Sequence, residues 1–262
     1  MDTNLFELFS LKDKEIWVVG GAGYLGQGIV KGLLQAGARV LCIDLAEKAR
    51  DFADSLPGQA IEAAALDIRN GTEVKEFVQR KTAGGAAPYG LVVLTFGSTG
   101  KSFFDLTEKE FDEVNHAGLT ATFMLAREAG AAMEKEGKGS IVLFSSMYGS
   151  VSPDPRMYEA PMNANPIEYG VGKAGIVQMT RYMAVHWAKK GIRCNCISPG
   201  PFPNPGVQEK NPQFIERLAG KVPMGRVGKQ HEVAGAVSFL LSDAASFITG
   251  QNLFIDGGWT SW

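Results

Sequence analysis

Short continuous apolar runs alternate with longer helix-period segments along the chain, and this limits the possible folds more than any other feature. The runs are Ile-Trp-Val-Val at 16–19, Val-Leu-Cys-Ile at 40–43, Leu-Val-Val-Leu at 91–94, Ile-Val-Leu-Phe at 141–144, residues 192–197 and Leu-Phe-Ile at 253–255, with a weaker one at 60–66. Most do not alternate apolar with polar, which suits strands covered on both faces, as in a parallel sheet. Between them, Leu25, Ile29 and Leu33 recur at helical spacing with Gly37 as a stop. Thr107 and Glu110 have capping-box spacing ahead of Phe111, Val114, Leu119 and Leu125, and Val233, Val237 and Leu241 form a further stripe. Seven strands alternating with about six helices predict a doubly wound α/β parallel sheet with helices on both faces. No linker, repeat or low-complexity tract interrupts the pattern, so residues 1–262 read as one domain. Two stretches rich in Pro and Gly, 150–166 and 199–212, read as loops, and long loops in a compact domain tend to be functional.

Charge and cysteine content remove several classes of partner. A formal net charge of −2 gives no electrostatic reason to bind nucleic acid or an anionic membrane surface. No uncharged apolar run reaches the ~18–20 residues of a membrane span. The first fourteen residues lack the basic-then-apolar order of a signal peptide. Three cysteines make no disulfide framework; Cys42, Cys194 and Cys196 read as small buried hydrophobes in a reducing cytoplasm. His116, His186 and His231 have no metal-ligand spacing, so no metal is expected.

The first apolar run leads directly into Gly20-Gly21-Ala22-Gly23-Tyr24-Leu25-Gly26, in which Gly21, Gly23 and Gly26 satisfy G-x-G-x-x-G between a strand and a helix. Glycines there allow a tight turn and a close backbone approach to a pyrophosphate, and the helix N-terminus adds partial positive charge. The context predicts a dinucleotide site in a Rossmann-type sheet. Asp44 ends the second run. A carboxylate at that place accepts hydrogen bonds from the adenosine ribose hydroxyls and repels a 2′-phosphate by about 4 kcal/mol at ~4 Å and an effective dielectric of ~20. Leu45, Ala46 and Glu47 follow without a basic residue, so NAD is expected over NADP.

Tyr169 and Lys173 lie four apart and share a helix face. A lysine charge ~4 Å from a phenol at an effective dielectric of ~20 is expected to lower its pKa by about three units, toward 7. A phenol so tuned exchanges a proton with an alcohol or carbonyl near neutral pH.

With the glycine turn, Ser145-Ser146, Tyr-x-x-x-Lys, Pro199-Gly200 and Ile255-Asp256-Gly257-Gly258 in this order, the chain resembles the short-chain dehydrogenase/reductase family from residue 11 to residue 258. The resemblance implies that Ser146 bonds the reacting oxygen and Tyr169 is the acid/base. It further implies that Lys173 tunes Tyr169 and binds the nicotinamide ribose, and that Asn115 holds a water in a proton relay. For the cofactor it implies Gly20, Gly23, Tyr24, Leu25, Gly26, Asp44, Asp67, Ile68, Gly97, Tyr169, Lys173, Pro199, Gly200, Phe202 and Asn204, with Asp67 on the adenine and Asn204 where the family's carboxamide-binding threonine falls. It also implies a substrate lid over 199–222 and a homo-oligomer, tetramer or dimer.

Besides Asn204, the chain departs from the family pattern in four places. Val19 replaces threonine before the glycine turn, and Tyr24 replaces the usual middle glycine, as in relatives that act on nucleotide sugars. The fourth strand ends Leu94-Thr95-Phe96-Gly97 instead of Asn-Asn-Ala-Gly. The span from Ser146 to Tyr169 is about ten residues longer than usual, placing a polar insertion at 150–166 beside the reacting centre. Its Arg156, Tyr158 and Asn163 are candidate substrate contacts alongside Ser146, and Arg156 suits a carboxylate or phosphate. The expected activity is hydride transfer between NAD and a secondary alcohol or ketone. The insertion and a likeness to gluconate 5-dehydrogenase-type members point to a sugar, polyol or sugar acid. Two other readings stay open: a nucleotide-sugar epimerase or dehydratase, and a non-catalytic dinucleotide-binding sensor.

Overall fold

The computed structural model describes residues 4–84 and 86–262. Met1 to Thr3, the start of the segment read above for a signal peptide, and Gly85 lie outside the described residues. In chain order the elements are α1 (Leu5–Leu8), β1 (Glu15–Val19), α2 (Tyr24–Gln35), β2 (Arg39–Asp44), α3 (Ala46–Asp54), β3 (Ile61–Ala65), α4 (Gly71–Thr82) and β4 (Gly90–Val93). There follow α5 (Glu108–Asn115), α6 (Ala121–Glu136), β5 (Gly139–Phe144), α7 (Ile167–Trp187), β6 (Ile192–Pro199), α8 (Pro205–Lys210), α9 (Pro212–Lys221), α10 (Glu232–Leu241) and β7 (Asn252–Ile255). The seven strands form one sheet in the order β3-β2-β1-β4-β5-β6-β7. Every neighbouring pair is parallel. Strand order reverses between β1 and β4, which opens a crevice at the carboxyl ends of those strands.

The lack of alternation in the apolar runs has its cause in two buried layers. Trp17, Leu41, Leu91, Ile141 and Cys194 face one layer and pack with Phe77, Leu125, Met133 and Trp187 from α4, α6 and α7. Val18, Val40, Val92, Val142 and Ile197 face the other and pack with Ile29, Leu33, Val237 and Leu241 from α2 and α10. Each large apolar side chain so buried contributes about 1.5–3 kcal/mol. Cys194 and Cys196 share the first layer and Cys42 lies in the second. All three are free and buried. Burial pushes the Cys42 thiol up to about 12 and the Cys196 thiol up to about 11, which keeps them protonated and unreactive.

Local signals hold where hydrogen bonds were specified in the sequence. The capping box of α5 is made in both directions, with the Glu110 N–H donating to Thr107 Oγ1 at 3.3 Å and the Thr107 N–H to Glu110 Oε2 at 3.1 Å. The predicted continuous helix through Leu119 is instead broken by a π-helical turn, His116–Thr120, directly after Asn115. His116 Nε2 lies 3.2 Å from the Arg69 carbonyl oxygen. The helices also outnumber the expected six, because short ones such as α1 and α8 are too brief to show a helical period in the sequence. The 199–212 stretch contains all of α8, started by Asn204 as its cap and Pro205 at its first position. Among the described residues no helix is long and apolar enough to cross a membrane.

Candidate active site

The crevice at the β1/β4 switch is a cleft of about 610 Å³. Its floor is the glycine turn. Gly20 has φ +80°, a conformation open to glycine at little cost, and a Cβ at Gly26 would overlap the Gly20 carbonyl oxygen. Gly23 caps α2 with no side-chain partner, so the first N–H groups of that helix face the cleft without an internal acceptor. This is the donor set a pyrophosphate requires, and the chain fits a dinucleotide here. Tyr24 and Leu25 line the same wall, the bulky Tyr24 being accommodated in the first turn of α2.

Asp44 forms the rim at the end of β2. Its Oδ2 accepts the Ala22 N–H at 3.2 Å and its Oδ1 the Leu45 N–H at 2.9 Å. Lys48 also lines the cleft. It lies four residues after Asp44, one residue beyond Leu45-Ala46-Glu47, and that spacing is its signal in the sequence. Asp67, Ile68 and Gly97 border a second hollow that shares Gly20, Asp44 and Phe96 with the main cleft. Asp67 is forked by Arg69, whose Nε donates to Oδ1 at 2.9 Å and whose hydrogen bonds hold the carboxyl below its ordinary range. Adenine contact through Asp67 therefore competes with Arg69.

The opposite wall carries the proton chemistry. Ser145 and Ser146 follow β5 and have different tasks. Ser145 Oγ donates to the Lys173 carbonyl oxygen at 2.8 Å, tying β5 to α7. Ser146 Oγ accepts the Tyr148 N–H at 3.2 Å and remains on the cleft surface. Tyr169 and Lys173 project from α7 into the cleft. Burial pushes the Tyr169 phenol above its usual range, and a hydrogen bond with Ser146 acts against that. Lys173 is almost fully buried, and its Nζ donates to the Phe144 carbonyl oxygen at 2.7 Å. Burial pushes this ammonium down to about 7, while Cys196 acts the other way. The expected lowering of Tyr169 toward 7 is thus corrected: burial raises the phenol, and the lysine ammonium expected to lower it is directed at the Phe144 carbonyl and is itself destabilised by burial.

Asn115 ends α5 where the π-helical turn begins. Its Nδ2 donates to the Phe111 carbonyl at 3.0 Å and the Glu168 carbonyl at 3.4 Å, while its Oδ1 is buried without a partner. Pro199, Gly200 and Phe202 line the cleft beside β6.

Four expected contacts are not brought to the cleft. Asn204 Oδ1 accepts the Val207 N–H at 3.0 Å as the cap of α8, so its amide oxygen is already committed. Arg156 is clamped on Asp154, Nε to Oδ1 at 2.9 Å and Nη2 to Oδ2 at 2.7 Å. The Tyr158 hydroxyl meets that of Tyr148 at 2.8 Å, and Asn163 Nδ2 donates to the Gly100 carbonyl at 3.0 Å. The insertion spends its polar groups on the protein, much of them on the region after β6. Lys221 Nζ reaches Asp154 Oδ2 at 2.7 Å, Arg217 Nε donates to the Met157 carbonyl at 2.9 Å, and Arg217 pairs with Glu159 at 3.0 Å. The Tyr158 and Phe214 rings lie 5.5 Å apart.

A dinucleotide cleft closed by a serine and a Tyr-x-x-x-Lys helix on a seven-stranded parallel sheet is the arrangement of one family, and comparison with known proteins agrees. The chain belongs to the short-chain dehydrogenase/reductase family and is an oxidoreductase acting on CH–OH groups. A family model described as enoyl-(acyl carrier protein) reductase matches residues 21–260. Galactitol 2-dehydrogenase of Rhizobium johnstonii is 31% identical, covering 97% of this chain and 98% of that protein. A short-chain dehydrogenase of Leptospira borgpetersenii, solved with bound NAD+, is 34% identical with a TM-score of 0.84, covering 99% of this chain and 97% of the other. A gluconate 5-dehydrogenase of Burkholderia cenocepacia, solved with NADP and tartrate, is 25% identical with a TM-score of 0.87, covering 99% of this chain and all of the other.

Proposed function

We propose that the protein interconverts a secondary alcohol and its ketone on a polyol, sugar or sugar acid, with NAD preferred to NADP. The observation that carries the reading is the meeting of Ser146, Tyr169 and Lys173 in the cleft that begins at the glycine turn. The bound dinucleotide supplies the hydride acceptor or donor. Gly20, Gly23, Tyr24, Leu25 and Gly26 would hold its pyrophosphate, Asp44 its adenosine ribose, Asp67, Ile68 and Gly97 its adenine side, and Pro199, Gly200 and Phe202 its nicotinamide end. Tyr169 Oη takes the alcohol proton in oxidation and returns it in reduction. Ser146 Oγ hydrogen-bonds the reacting oxygen as charge develops on it. Lys173 favours the phenolate, and Asn115 keeps a buried carbonyl oxygen at the α5–α7 contact for a relay water. The polyol and sugar-acid dehydrogenases among the relatives support the substrate class, and the fixed carboxylate of Asp44 supports NAD.

Removing only the proton carrier tests the assignment. In Tyr169→Phe, turnover of the responding member of a panel of galactitol, glycerol, gluconate and a hydroxysteroid should fall about 10²–10⁴-fold with NADH binding retained. Retained turnover would remove Tyr169 from the mechanism. Activity confined to the steroid would remove the carbohydrate reading. We further propose a homo-oligomer, a tetramer or dimer, because Phe123 on α6 and Val171, Tyr182 and Val185 on α7 leave apolar surface exposed on neighbouring helices. A monomer in sedimentation would contradict this. The three buried free thiols support a reducing compartment, the cytoplasm, which cell fractionation would test.

A further inference from the structure

Phe96 stands just beyond β4, where the family's usual ending has alanine. Its ring fills the space between the π-helical turn after α5 and the first turns of α7. It packs at right angles against the Tyr169 ring, with centroids 5.4 Å apart and planes at 81°. Lys173 Nζ lies 4.5 Å from the Phe96 ring centroid, closer than the 5.6 Å that separates it from the Tyr169 ring. Two glycines inside helical turns admit the ring. A Cβ at Gly118 or at Gly172 would overlap Phe96 ring atoms, and at Gly172 it would also come within 2.6 Å of Asn115 Oδ1. Glycine weakens a helix relative to alanine, so two of them around one ring mark a space kept for it.

On the reading of Tyr169 and Lys173 as the proton-handling pair, we propose that Phe96 is a positioning residue of the active site, holding the Lys173 ammonium over its face and seating the Tyr169 ring. An aromatic face carries negative electrostatic potential and attracts a desolvated cation. Lys173 donates one hydrogen bond, to Phe144, and is otherwise stripped of water, so the ring offsets part of the penalty of burial. Without the ring, more of the lysine would be neutral near pH 7, and its help to the Tyr169 phenolate would weaken. The other titratable groups around the pair are Cys196 from β6, Tyr148 from the turn after β5 and Glu168 on α7 itself; α5 contributes the amide of Asn115.

The test needs no substrate. Lys173 and Tyr169 are titrated by NMR in protein carrying labelled lysine and tyrosine, with signals assigned from Lys173→Met and Tyr169→Phe. Replacing Phe96 by a ring-fluorinated phenylalanine keeps the shape and drains the negative face. The Lys173 midpoint should then fall by about one pH unit, as expected for loss of a desolvated cation–π contact, and Tyr169 should titrate higher. Phe96→Leu should repeat the shift and lower turnover about tenfold; if it does not fold, the fluorinated protein carries the test. Unmoved midpoints in the fluorinated protein overturn the role of Phe96. If Tyr169→Phe is inactive while those midpoints stay fixed, Phe96 alone is refuted. If Tyr169→Phe remains active, the catalytic reading fails whatever the ring does.

Discussion

Replacing Asp44 by serine should erode the preference for NAD, and the size of the effect follows from how the carboxylate is held. Both Asp44 oxygens accept backbone N–H groups, from Ala22 and Leu45, so it cannot swing away from an approaching phosphate without losing them. A negative charge ~4 Å away is repelled by about 4 kcal/mol at an effective dielectric of ~20 and by about 1 kcal/mol in bulk water. Asp44 is half-buried, so the two figures bracket the penalty, and at about 1.4 kcal/mol per decade they correspond to roughly fivefold and a thousandfold in affinity. Serine removes the charge and retains one acceptor. Lys48, in the same cleft, then acts on the 2′-phosphate unopposed. NADH and NADPH are titrated by their own fluorescence, which requires no substrate. The ratio of their dissociation constants should move toward NADPH by at least about fivefold, and adding Lys48→Ala should return part of that gain. A ratio that stays where it was in Asp44→Ser would refute the assignment of Asp44 as the discriminator.

Further outcomes follow from the same geometry. Because burial holds the Tyr169 phenol above its usual range, the phenolate needed for oxidation grows with pH while the phenol needed for reduction is already present at pH 7. Alcohol oxidation should rise about tenfold per pH unit on its ascending limb and ketone reduction should stay flat; an oxidation optimum below pH 7 would contradict this. Lys173 is pushed down from 10.5 to about 7, so between those values the unfolded chain holds a proton that the folded chain has released. Its contribution to stability therefore rises with pH across that window. In urea unfolding, the difference between wild type and Lys173→Met should grow in favour of wild type from pH 7 to pH 10, and a constant difference would reject it. Asp154→Asn removes the charge that Arg156 and Lys221 share. Substrate KM should rise and the melting temperature fall, with the Kd for NADH unchanged; an altered NADH Kd would show that the loop acts on the cofactor instead.

The sheet was legible because its signals are local and repeated. Most buried strands announce themselves as unbroken apolar runs, β6 with Arg193 and Asn195 being the exception, and the glycine turn carries a steric requirement visible as residue type. The Ser-Tyr-Lys order was legible for a similar reason, since four residues on a helix fix a shared face. Orientation was not legible. Spacing placed Lys173 near Tyr169, but only packing shows its ammonium turned to Phe144 and to the face of Phe96. The insertion failed differently. Arg156, Tyr158 and Asn163 look like substrate contacts in a string of letters, and their partners, Asp154, Tyr148 and the Gly100 carbonyl, are known only once the chain is folded. Lys48 is not adjacent to Asp44 in sequence, and only the first turn of α3 carries it back to the same cleft.

The ties between the 150–166 segment and α9 carry a consequence for engineering. Two pieces distant in sequence are stapled by Lys221 to Asp154 and by Arg217 to Glu159 and Met157, with an aromatic pair beneath. Grafting this segment alone into a shorter relative would strand the carboxylates of Asp154 and Glu159 and the Tyr158 ring without their α9 counterparts. A transplant of the segment must move both pieces as one cassette, because each supplies the other's charge partners.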